Sequence, residues 1–113
     1  MYSVSLSQIA KEFNLKNLTE EIDISKINID TPGVNRPAIQ LAGFFDYFDS
    51  ERIQVIGLVE YSYLSKLTPE FRQETLEKLF QYKMPAVIIS RGLTPHPEMM
   101  FYAKEKQIPI LQT

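Results

Sequence analysis

The most informative absence in this 113-residue sequence is that of cysteine. Without it the chain can form no disulfide, no thiolate metal site and no cysteine nucleophile. The sequence has a single histidine and no cluster of carboxylates at the spacing of metal ligands. We therefore predict no metal site. Lack of cysteine is typical of a reducing compartment. Because no secretory signal segment opens the sequence either, we expect a cytoplasmic protein.

Long apolar runs and clusters of basic residues are also missing. No apolar run approaches the roughly 20 residues that a membrane-spanning helix needs. Lysine and arginine are scattered, and the formal net charge is −2, whereas nucleic-acid binders usually carry a basic patch. We therefore expect neither a membrane nor a nucleic acid as a partner.

Glycine is scarce, and its four positions do not form a phosphate-binding loop. The sequence contains no Gly-Lys-Ser, no Gly-Lys-Thr and no Gly-x-Gly-x-x-Gly pattern. No nucleotide loop of these types is present, and no catalytic residue can be assigned.

The residues that are present predict one globular domain spanning 1–113. Hydrophobic residues make up 44% of the chain, with seven Phe and six Tyr, and charged residues make up an ordinary 23%. This length fits a single domain, and this composition supplies a core.

The pattern of apolar and capping residues predicts an α/β fold. From residue 52 onward strands and helices alternate, which favours a small three-layer domain with a mostly parallel sheet and right-handed crossovers. The predicted elements are a strand at 2–4, a helix over 6–13 ending at Asn14, one or two strands within 15–31, a helix over about 37–47 capped by Asn35, a buried strand over 52–59, a helix from Pro69 behind Thr68, a strand over 86–89, a helix through about Lys106 and a strand over 108–111.

The best candidate for a binding site is Ser90-Arg91-Gly92, directly after the predicted strand 86–89. Open parallel sheets bind ligands at the carboxyl ends of their strands, and an arginine there can hold a phosphate or carboxylate bidentately. Glu60, at the end of the predicted strand 52–59, could pair with Arg91 across the sheet edge. The other interpretation is a plain turn with a solvated arginine and a solvated strand end, and the sequence leaves both open.

Two aromatic segments are candidates for an interface. Phe44 and Phe48 lie in one segment and Tyr63 in the other. Core packing explains most such segments, but an exposed part would favour a contact surface because aromatic residues are enriched at interfaces. His96 stands between two prolines, and we interpret it as an exposed loop residue or a helix cap. The alternative is a general base, for which the sequence offers no Ser or Cys pairing.

Three long segments, in this order and spacing, resemble the N-terminal domain of the HPr kinase/phosphorylase family of bacterial sugar regulation. They are residues 35–48 (NRPAIQLAGFFDYF), residues 52–57 (RIQVIG) followed by Glu60 and Tyr63-Leu64, and residues 85–93 (PAVIISRGL) followed by Pro97-Glu98. Ala38 and Ser90 stand where we expect glycine and threonine, but both keep the residue small.

The resemblance implies a parent enzyme that phosphorylates and dephosphorylates a serine of the phosphocarrier HPr in carbon catabolite repression. It implies ATP or pyrophosphate and magnesium as the parent's cofactors, a C-terminal kinase domain that holds the nucleotide loop, and a homohexameric parent. It further implies that the N-terminal domain folds like the N-terminal domains of muramyl-peptide ligases.

For this chain the resemblance implies a non-catalytic regulatory or assembly domain with no cofactor of its own. Its partners would be the kinase domain and, through that domain, HPr. Two alternatives remain. One is an anion or sugar-phosphate binding module near Arg91, and the other is a self-association module if Phe44, Phe48 or Tyr63 is exposed.

Overall fold

The computed structural model describes residues 3–113, so the first residue of the predicted strand 2–4 lies outside the described residues. The described strands are β1 (Val4–Ser5), β2 (Lys16–Asn17), β3 (Asn28–Ile29), β4 (Val34–Asn35), β5 (Ile53–Ile56), β6 (Val87–Ile89) and β7 (Ile110–Gln112). The described α-helices are α1 (Leu6–Glu12), α2 (Ala38–Leu41), α3 (Leu58–Lys66), α4 (Pro69–Leu79) and α5 (Pro97–Lys106), and a 3₁₀ turn covers Ile24–Lys26.

Five of the strands form one mostly parallel sheet in the order β2-β7-β6-β5-β4. The strands β4, β5, β6 and β7 run parallel, and β2 closes one edge antiparallel to β7. A separate antiparallel pair joins β1 to β3. The sheet confirms the predicted α/β class and the mostly parallel topology.

Apolar residues cover both faces of the sheet and give three layers. On one face, buried side chains of α2 to α5 pack against Ile56, Val87, Ile89 and Ile110. On the other face α1 and β3 pack against β5 and β7 through a second buried cluster: Leu6, Ala10, Ile29, Ile53, Ala86 and Leu111. Successive strand residues point to opposite faces, which is why the buried strands read as nearly continuous apolar runs.

Helix α2 is much shorter than the predicted helix over 37–47. Gly43, with φ of 104°, lies just beyond its end in the left-handed conformation. The N–H of Gly43 donates to the carbonyl of Gln40 and that of Phe44 to the carbonyl of Ile39, which is the Schellman pattern of helix termination. A Cβ built on Gly43 meets nothing within 4 Å, so this glycine serves the backbone conformation that ends the helix and not a close approach of another element. The predicted cap, Asn35, lies in β4.

The predicted strand over 52–59 is two elements. Strand β5 ends at Ile56, and after Gly57 the chain turns directly into α3. The carboxylate of Glu60 accepts a hydrogen bond from the Gly57 N–H at 2.7 Å and so caps the new helix. Leu58 and Val59, which extended the apolar run, are therefore exposed residues of a first helical turn.

Elements with strong local signals follow the predictions closely. Thr68 caps α4 with its hydroxyl and Pro69 takes the first helical position. Asn14, with φ of 55°, stops α1 as predicted. Two short strands, β2 and β3, lie within 15–31. Strand β7 ends one residue beyond the predicted range and begins only after Pro109.

Candidate functional site

The candidate binding residues lie around a notch at the carboxyl ends of β4, β5 and β6. The notch has a volume of about 410 Å³. Its lining residues are Arg36, Val55, Gly57, Leu58, Val59, Ser90 and Arg91. Arg36 follows β4, Gly57 follows β5 and Ser90 follows β6. Residues at the carboxyl ends of three parallel strands therefore line the notch. This is the edge at which open parallel sheets bind ligands.

Arg91 is presented by a tight turn after β6. Arg91 and Gly92 both have positive φ, 59° and 64°, and the N–H of Leu93 donates to the carbonyl of Ser90 at 3.2 Å. Positive φ at both central residues is the pattern of a type I′ turn. The backbone N–H and the hydroxyl of Ser90 both donate to the carbonyl of Ile56, at 3.0 and 3.2 Å. These bonds fix the start of the turn to β5.

Arg36 lies across the start of α3, where glycine leaves room for it. A Cβ on Gly57 would come within 2.4 Å of Nη2 of Arg36. Nη2 and Nε of Arg36 donate to Oε1 of Glu60, at 2.8 and 3.3 Å. The Glu60 side chain is 3% exposed and that of Arg36 is 54% exposed, so a buried carboxylate anchors an accessible guanidinium.

Two expectations for this region are corrected. Glu60 does not end a strand and does not pair with Arg91, because it lies in the first turn of α3 and faces Arg36. Gly92 belongs to the turn that presents Arg91 but does not line the notch. Among the ion pairs that join residues 3–113, none includes Arg91.

Sequence analysis missed Arg36 as a site residue, although it lies in a segment that carries the family resemblance. The available signal was weak. Strand β4 has only two residues, and its carboxyl end meets the notch only because it pairs in parallel with β5.

His96 is buried, which corrects its interpretation as an exposed residue. Its ring stacks on Tyr61 with centroids 4.5 Å apart. The Ser65 hydroxyl donates to the carbonyl of Tyr61 and lies 2.9 Å from Nε2 of His96, so Nε2–H donates to it. Nδ1 is then an acceptor with no partner among the described residues. His96 occupies the cap position of α5, but its side chain makes no capping hydrogen bond.

Burial lowers the pKa of His96, and the nearby Arg72 guanidinium lowers it further. The hydrogen bond from Arg72 likewise lowers the pKa of Glu98. No carboxylate within residues 3–113 orients Nδ1, as the third member of a serine–histidine catalytic triad would. We therefore interpret this cluster as structural.

The candidate interface residues differ in exposure. Phe44 and Tyr63 are 53% and 42% exposed, whereas Phe48 is half-buried against the ring of Tyr82. Tyr63 and Phe71 line a shallow groove between the segment 40–45 and helices α3 and α4. We call this the α3–α4 groove. As interface residues, Phe44, Phe48 and Tyr63 stay predictions.

Within residues 3–113, no three His, Asp or Glu side chains come close enough together to hold a metal ion. None of the helices in this part of the chain has the length and apolar character needed to cross a membrane.

Comparison with known proteins gives matches along almost the whole chain. The family model described as "HPr Serine kinase N terminus" matches residues 4–113. The HPr kinase/phosphorylase of Lachnoclostridium phytofermentans is 45% identical over 113 residues, which cover 100% of this chain and 37% of that protein. That of Streptococcus gordonii is 40% identical over 111 residues, covering 98% and 36%. The chain thus spans little more than a third of the length of these curated relatives.

This fold is shared by a solved structure of low sequence identity. It is the crystal structure of the CBS and DRTGG domains of the regulatory region of Clostridium perfringens pyrophosphatase, complexed with the activator diadenosine tetraphosphate. Its TM-score is 0.60 at 20% identity, and the match covers 96% of this chain and 40% of that one. The expected likeness to muramyl-peptide ligases stays a prediction.

Proposed function

Because the chain belongs to the HPr serine kinase N-terminal family, we propose that it serves as a non-catalytic regulatory or assembly domain of an HPr kinase/phosphorylase. One observation carries the proposal. The match covers residues 4–113, yet the relatives named for the enzyme activity are almost three times as long. The kinase and phosphorylase chemistry is then assigned to the part of the parent that this chain does not include.

We propose that this chain itself holds no magnesium nucleotide. The sequence has no Gly-Lys-Ser or Gly-Lys-Thr, and the described residues bring no carboxylate cluster together. We propose that ATP or pyrophosphate and magnesium bind in the kinase domain of the parent. HPr would be the parent's substrate, the parent would be a cytoplasmic homohexamer, and its activity would control carbon catabolite repression.

A phosphorylation assay on HPr tests this assignment. The 113-residue chain is compared with a version extended by a kinase domain from a relative, each with HPr and labelled ATP. We expect phosphoserine on HPr only with the extended protein. Transfer by the 113-residue chain alone would contradict the non-catalytic role.

An assembly role needs a contact surface, and the α3–α4 groove is the best candidate. Almost two thirds of the length of each relative lies outside this chain, so we commit to the kinase domain as its occupant. Exposed Tyr63 and Phe71 would supply the apolar contact. Sedimentation of the chain mixed with a separately produced kinase domain tests this. Tyr63→Ser with Phe71→Ser should abolish binding, and Tyr47→Ser, outside the groove, should not. Equal binding by all variants would exclude the groove, and a dimer of this chain alone would point to self-association instead.

A second function is supported by the notch. Arg36 lies there together with the predicted Arg91, so two arginines line one concave site with Ser90. Such a site suits an anion or a phosphorylated sugar. Calorimetric titration of the wild type and Arg91→Ala with a sugar phosphate tests this function, and no heat from the wild type would contradict it.

A further inference from the structure

We propose that the notch selects a doubly charged phosphoryl group, held between Arg36 and Arg91 at the start of α3. This inference rests on the second proposed function, anion binding, and names its ligand class. It does not depend on the assembly role.

The first argument is an excess of positive charge. Arg36 and Arg91 both line the notch, and Glu60 is the carboxylate paired with Arg36. Arg36 also lies at the amino end of a nine-residue helix, where the helix dipole adds roughly half a positive charge. A cation at that end is unfavourable, and one buried carboxylate leaves the notch short of negative charge.

The second argument is the set of hydrogen-bond donors that remains. A single oxygen of Glu60, Oε1, accepts hydrogen bonds from both Nε and Nη2 of Arg36. The outer edge of the guanidinium therefore keeps free N–H donors. The first turn of a helix leaves its N–H groups without intrahelical acceptors, and Leu58 and Val59 of that turn both line the notch. Arg91 adds a second guanidinium to the notch lining and, unlike Arg36, pairs with no carboxylate among the described residues.

The third argument concerns which anion matches these donors. A carboxylate has two oxygens and one charge, and one arginine satisfies it. A phosphoryl dianion has three terminal oxygens and close to two charges near neutral pH. It can therefore accept from both arginines and from the helix start at once, as phosphates do at other helix N-termini.

Glu60 acts here as a positioning residue. Its carboxylate is buried and bonded to the Gly57 N–H at 2.7 Å, so it cannot reach solvent to leave Arg36. It fixes one edge of the guanidinium and directs the other edge toward solvent over the side-chain-free Gly57.

Calorimetry at low ionic strength tests the proposal with the 113-residue chain. The probes are inorganic phosphate and glucose 6-phosphate, with glucose and acetate as controls for the sugar and for a single charge. We expect Arg36→Gln and Arg91→Gln each to weaken phosphate binding by about tenfold. Lys106→Gln, which removes one positive charge at the far end of α5, should leave it unchanged.

A measurement on the wild type guards against misfolding of Arg36→Gln, which leaves Glu60 without its partner. The chain has four arginines, at positions 36, 52, 72 and 91, so their Nε–H signals can be followed separately by NMR. Phosphate should shift the Nε–H signals of Arg36 and Arg91 and not those of Arg52 and Arg72.

The possible results distinguish the two-arginine phosphoryl site from the more general proposal of anion binding. No binding of either phosphate probe overturns both. Binding that either arginine variant leaves unchanged, or that acetate matches, overturns the two-arginine phosphoryl site and leaves anion binding in place. A preference for glucose 6-phosphate over inorganic phosphate would identify a phosphorylated sugar as the source of the group, and the reverse would identify free phosphate.

Discussion

Arg72 links three elements, and replacing it should destabilise the fold measurably. Its Nε donates to Oε1 of Glu98 at 3.0 Å, joining α4 to the start of α5. Its Nη1 donates to the carbonyls of Leu64 and Leu67 at 3.2 Å each, at the end of α3. Since the first turn of α3 lines the notch, Arg72 also fixes the far end of the helix that frames the site. The substitution Arg72→Met removes all three hydrogen bonds and keeps an apolar stem.

The size of the loss follows from charge and burial. Hydrogen bonds to charged groups contribute roughly 1.5–3 kcal/mol each. The three hydrogen bonds share one guanidinium. The Arg72 and Glu98 side chains are 15% and 18% exposed, so water can hydrogen-bond to part of what the substitution leaves unpaired. We expect the free energy of unfolding to fall by about 2–4 kcal/mol rather than by the sum. For a domain of this length that lowers Tm by roughly 8–17 °C.

Urea and thermal unfolding followed by circular dichroism measure this effect. A cycle of Arg72→Met, Glu98→Gln and the double variant isolates the coupling between the two side chains. Lys78→Met is the matched control, because its ion pair with Glu74 is more than half exposed at both ends and should contribute below about 0.5 kcal/mol. If Arg72→Met costs no more than Lys78→Met, the reasoning about Arg72 is wrong.

Three further predictions concern single residues. Thr19→Val keeps the side-chain shape but removes the hydroxyl that accepts from the Ile110 N–H at 3.2 Å. Urea unfolding should show a loss of about 1–3 kcal/mol that Thr19→Ser does not share, and a Val variant as stable as wild type would contradict this. Gly43→Ala forces a Cβ into a φ of 104° and should cost about 1–2 kcal/mol by thermal unfolding; an unchanged Tm would show that this residue does not require the left-handed conformation. The pKa of His96 is lowered in the folded chain, so the unfolded chain binds its proton first as the pH falls. The free energy of unfolding should therefore decline from about pH 6.5 downward in the wild type but not in His96→Gln, and equal profiles above pH 5 would refute that assignment.

Local signals determined which elements were predictable. Helix α4 begins where Thr68 and Pro69 place it, and α1 stops at Asn14, because caps and left-handed residues act within a few positions. Helix α3 was missed because Leu58 and Val59 continue the apolar run of β5, and only the hydrogen bond from Gly57 to Glu60 separates strand from helix.

The site was half predictable for a related reason. Arg91 directly follows a recognisable buried strand, so its place at the sheet edge could be inferred from order along the chain. Arg36 reaches the same notch through the pairing of β4 with β5 and of β5 with β6, which is tertiary information. The burial of His96 is equally tertiary information, since its partners Ser65 and Tyr61 lie on α3 and not beside it in sequence.

The pairing of β2 with β7 also has a consequence for how the chain acquires its structure. Lys16 faces Gln112, and the hydrogen bond from Ile110 to Thr19 spans 91 residues. During synthesis β2 has no hydrogen-bonding partner in the sheet until β7 has also left the ribosome. Contacts of such high sequence separation slow folding, because a large loop must close before they form. We therefore expect the sheet to form late and cooperatively, with the N-terminal layer depending on β7.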